Sequence, residues 1–126
     1  MLVALVAIML LGGSSVSDIE RFIQDLDKLV GKRLEEPAAR AEAQAAVREM
    51  KTIVGEYNSQ LKRLPTEIAA KNADETVTDG DFDQSVRALE DARSVAFERL
   101  VASREKLRQA IPADQWDATV GAASRK

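Results

Sequence analysis

Apolar residues recur at three- and four-residue intervals over most of this chain, the spacing of one helix face. Ile19, Phe22, Ile23, Leu26, Leu29 and Val30 form the first stripe. Ser17 to Glu20 read as a capping box, in which the Ser17 hydroxyl and the Glu20 carboxylate each take a backbone amide. Gly31 weakens this helix and Pro37 restricts Glu36, so the spacing predicts an end near Leu34. Pro37 suits the first position of a second helix, with Glu35 and Glu36 beside its positive end. There Ala43, Val47, Met50, Val54, Tyr57, Leu61 and Leu64 keep a strict heptad order, widened by Ile53. Pro65 is expected to end or kink this helix, with at most one more turn from Thr66 to Lys71. The polar stretch Asn72 to Asp81 reads as a chain-reversing loop.

A third helix is predicted from near Asp81 to Ala110. Phe82, Val86, Leu89, Ala96, Leu100 and Leu107 lie on one side, widened by Ala92, Phe97 and Val101. Ile111 to Trp116 read as a tight turn opening a last short helix, and Ser124 to Lys126 as a frayed end. No period-two pattern competes. The expected fold is all-α: a long antiparallel helical hairpin with a short helix at each end, a three- to four-helix bundle.

Ahead of these helices stands a different pattern. Met1 to Leu11 are apolar without a charge, followed by Gly12, Gly13, Ser14 and Ser15. The run fits a signal h-region and is about half of what a spanning helix needs. Gly13 and Ser15 supply the small residues of a cleavage site before Val16. No Lys or Arg precedes the run, which points to a start upstream of Met1 or to a Met1 that is not the native start. A lipid anchor here would need a cysteine. The division expected is 1–15, signal peptide or membrane anchor, and 16–126, a single helical domain, placing the protein in the bacterial periplasm or envelope. The other reading of the run is a buried apolar strand or helix.

Composition narrows the chemistry. Aromatic residues are 4% of the chain, so the core must be built from small and aliphatic side chains. Net charge is −3 with the signs interspersed, which argues against nucleic acid. His and Cys are absent, excluding disulfides, thiol catalysis and thiolate metal sites. No pocket motif, nucleophile–base pair or phosphate loop is visible, so neither an enzyme nor a cofactor is expected. Asp79, Asp81, Asp83 and Glu90 copy the first, third, fifth and twelfth positions of a calcium loop. Gln84 stands where that loop needs Gly, so the acids fit better as a helix start favoured by the dipole.

The candidate partner-binding residues are Arg93, Phe97, Val101, Arg104, Arg108 and Trp116. Arg93 and Arg104 lie three helical turns apart on one face, and Arg108 extends it. These guanidinium groups suit an acidic or amphipathic partner. In the competing reading, Arg stems cover apolar surface and pair with Glu90 or Glu105. Trp116, the single Trp, is expected as a lid over the bundle end, or else as an exposed anchor.

Ile111, Pro112 and Gln115 stand where the periplasmic Spy/CpxP-type helical stress proteins carry a Leu-Thr-x-x-Gln motif between two helices, and the stretch Arg104 to Trp116 resembles that family. The resemblance implies an ATP-independent chaperone, or an inhibitor of an envelope sensor, acting through a cradle-like helical surface. It implies structural roles for Ile111 and Gln115. Two functional readings result. One is a non-enzymatic extracytoplasmic interaction protein, chaperone-like, binding a protein partner or its own copy through helix faces. The other is a membrane-anchored accessory subunit, held by Met1 to Leu11 and packed on a neighbour through the Ala43–Leu64 seam.

Overall fold

The computed structural model describes residues 16–125; the apolar run and its cleavage site lie outside them. The described residues are helical without a strand, in four helices. Helix α1 is Val16–Arg33 and α2 is Pro37–Ala73; α3 is Asp79–Ala110. Helix α4 comprises three continuous segments: Ala113–Trp116, a π-helical stretch Asp117–Gly121, and Ala122–Ser124.

Each boundary has a local cause. Val16 is already helical, so Ser17 lies inside the first turn of α1 rather than before it. At the other end the Arg40 guanidinium donates to the Leu34 carbonyl at 2.8 and 3.1 Å, satisfying a carbonyl that α1 leaves open. Glu36 is extended and Pro37 takes the first turn of α2. Of the end or kink expected at Pro65, the end does not occur: α2 continues through Thr66 to Lys71 and on to Ala73. Pro65 is exposed, so its ring meets no neighbouring helix, and the lost amide bond and the crowding of its ring against the carbonyl one turn earlier are borne within α2. The loop is accordingly shorter than the pattern suggested, Asp74 to Thr78. The Asp74 carboxylate accepts from the Thr76 amide at 2.9 Å and hydroxyl at 2.7 Å. The Thr78 hydroxyl then accepts from the Asp81 amide and caps α3 two residues earlier than predicted.

Helices α2 and α3 form the long antiparallel hairpin, tied on one flank by Arg99–Glu56 at 2.5 Å and Lys106–Glu49 at 2.7 Å. Helix α1 runs back along α2, with Lys51–Asp27 at 3.1 Å on that side, and also packs on the π-helical stretch and last turn of α4. Ile19, Ile23, Leu26, Val30, Val47, Met50, Val54, Leu100 and Leu107 are almost wholly buried between these helices. The heptad seam of α2 is buried from Ala43 to Tyr57 and again at Leu64, with Leu61 half-buried between them. Tyr57 on α2 and Ala96 on α3 mark the end of the continuous core. Beyond Leu61, α2 runs about 18 Å further beside the start of α3, and the two helices stand there as an arm.

Candidate functional site

Three of the six predicted partner-binding residues come together at the bundle end opposite the arm tip. The Ile111 amide still bonds the Leu107 carbonyl, closing α3, and the Gln115 amide bonds the Pro112 carbonyl, opening α4. This tight turn folds Trp116 back against α3. Trp116 packs on the core with part of its ring exposed, and the Arg104 guanidinium lies over it, 5.5 Å from the ring centroid. Trp116 is thus both the expected lid and a surface residue.

Two grooves open on either side of this pair. One, about 390 Å³, is lined by Arg104, Arg108, Ile111, Ala113 and Trp116. The other, about 350 Å³, is lined by Arg104, Trp116, Val120, Gly121, Asp117 and Arg125. Arg108 is held by Glu105, whose carboxylate accepts at 2.9 and 2.5 Å, the three-residue pairing expected. That contact holds the Glu105 carboxyl below the usual range and raises Arg108.

The second groove contains residues that sequence reasoning missed. Asp117 and Arg125 pair at 2.8 Å across eight positions. In a regular α-helix such residues sit about 80° apart around the axis. The π-helical stretch adds one residue to the turn and brings them into line, as seven positions would. Gly121 lies directly beneath: a Cβ there would meet Asp117 Oδ1 at 2.7 Å and Arg125 Nη1 at 3.2 Å. Thr119 is fully buried, and its hydroxyl donates to the Gln115 carbonyl at 2.9 Å within the widened turn. Gly121 between an acid and a base was the one signal available, and regular helical geometry would have dismissed it.

The remaining predicted residues are elsewhere. Arg93 is exposed eleven positions before Arg104, about 16 Å along α3. Phe97 is half-buried against the core, and Val101 is 40% exposed on the flank of α3. Asp79, Asp81 and Asp83 occupy the first turns of α3 and spread around it; among the described residues no acidic group is gathered tightly enough to hold a metal ion. A further groove of about 410 Å³ follows the Glu56–Arg99 flank of the hairpin, where Val95 is 51% exposed.

The fold and site define a helical hairpin closed at one end by a short π-distorted helix that presents a Trp–Arg pair. No family model, curated protein or solved structure matches this chain.

Proposed function

We propose that this protein is a non-enzymatic helical interaction protein of the bacterial envelope, which takes amphipathic segments of other proteins at the Trp116 end of its bundle in a chaperone-like way. The observation that carries this reading is the Arg104–Trp116 stack standing between two open grooves. Trp offers a large apolar face and Arg a fork for carboxylates, and both are the residue types that dominate binding energy at interfaces. The π-helical distortion beside them supports a built site, since such turns concentrate where function is placed. The helix-to-helix position of Ile111 to Gln115 supports the Spy/CpxP-type reading, and the apolar run at 1–11 supports export.

Trp116 is the single Trp of the chain, so its emission reports on the site directly. Titration with a synthetic amphipathic helix bearing an acidic polar face should shift that emission to saturation. Arg104→Ala should weaken binding by up to about fivefold, the worth of one exposed ion pair with the acidic face of the helix. An emission that never responds would remove this end of the molecule as the binding surface.

A further inference from the structure

The same face of α3 that carries Leu100 and Arg104 also carries, nearer the arm tip, Asp79, Phe82, Val86, Leu89 and Arg93. Their spacing of three, four, three and four residues keeps them in line. Further down, the stripe is covered by the bundle: Leu100 is 2% exposed and Phe97 packs on the core. On the arm it is covered less completely. Phe82, Val86 and Leu89 are only half-buried, as are Leu61 and Ile68 beside them on α2. Arg93 occupies a core register, four positions from both Leu89 and Phe97, yet is exposed. A charge at such a register specifies a partner and its direction rather than stability.

The order of charges identifies the occupant. Asp79 and Arg93 each lie seven positions from Val86, about 10 Å on either side. Neither makes an ion pair among the described residues. A stripe that reads acid, apolar, base about its midpoint is complementary to itself when reversed. A two-fold axis at its centre sets acid against base twice, whereas parallel pairing would set like against like. We propose that the arm is the docking surface for a second copy of this chain, the two α3 stripes antiparallel, Val86 on Val86, with Asp79 of each copy beside Arg93 of the other. This surface is separate from the Trp116 site and stands without it.

Sedimentation equilibrium of the native protein should show a reversible monomer–dimer equilibrium that weakens with salt. Arg93→Asp and Asp79→Arg each turn two attractions into two repulsions and should weaken self-association roughly tenfold or more. Mixed together, the two variants should associate one to one, because one then carries an acid at both ends of its stripe and the other a base at both ends. A variant that had failed to fold could not be rescued by mixing. A native protein that stays monomeric overturns the proposal. A dimer indifferent to both substitutions, or a mixture that does not associate, overturns it as well.

Discussion

At the scale of single residues, contrasts in surroundings set the expected effects. Leu26 is 0% exposed, and Leu26→Ala should cost about 2–5 kcal/mol in denaturant unfolding, through lost burial and the cavity left behind. Gly121 is crowded by side-chain ends, not backbone. Gly121→Ala should displace the exposed Asp117–Arg125 pair, worth at most about 1 kcal/mol, while gaining a similar amount of helix propensity. Its unfolding midpoint should therefore hardly move, and a large loss would show that the pair matters more than its exposure implies. Asp74 opens the reversing loop. The hydroxyl and then the amide of Thr76 hold its carboxyl below the usual carboxylate range. The stabilisation this gives is present at neutral pH and is lost as pH falls through the lowered value. Asp74→Asn should therefore flatten the acid limb of a stability–pH curve, and an unchanged limb would assign acid sensitivity elsewhere.

Elements carry costs that no single contact shows. Helix α2 keeps Gly55 and Pro65 in its interior. Gly55 is exposed with nothing within 4 Å of an added Cβ, so Gly55→Ala should stabilise by about 0.5–1 kcal/mol. Pro65→Ala restores an amide bond and should stabilise by up to about 3 kcal/mol, read as a rise in melting temperature. The helices were legible in the sequence because periodicity runs through them: the stripe of α1 and the Ala43–Tyr57 seam are buried as the spacing required. Ends were less legible, because a local rule there competes with packing. Pro65 signals a break, but Leu64 just before it is still buried and Ile68 just after still follows the seam, so the helix carries the loss. Thr78 outcompeted Asp81 as the start of α3 because its hydroxyl is placed to cap. Of the site, Arg104 and Arg108 were visible as arginines on a shared face, and Trp116 as a lid or anchor on the last short helix. Asp117 and Arg125 were hidden, because the π-helical stretch that aligns them packs on α1 and has no sequence periodicity of its own.

The described residues divide into a four-helix end that holds the continuous core and a two-helix arm beyond it, where Leu64 and Ala92 are buried outside that core. Amides of α2 beyond Leu61 and of the first turns of α3 should exchange hydrogen faster than those of Met50 or Leu100 when the arm is unpaired, and slow down as concentration rises if copies pair there. Leu89→Ala should accordingly cost less than Leu26→Ala in the monomer, since Leu89 gives up only half-buried area. One continuous helix, α3, carries both the arm stripe and the Arg104 end of the Trp116 site. Eighteen positions separate Val86 from Arg104, roughly 27 Å of rigid rod. Two copies joined at Val86 would hold their Trp116 sites roughly 54 Å apart, and α3 would then act as a ruler. A short peptide would bind each site independently and gain nothing from the second. A client long enough to span that gap would be gripped at both ends, its hold multiplied by the local concentration of the second site.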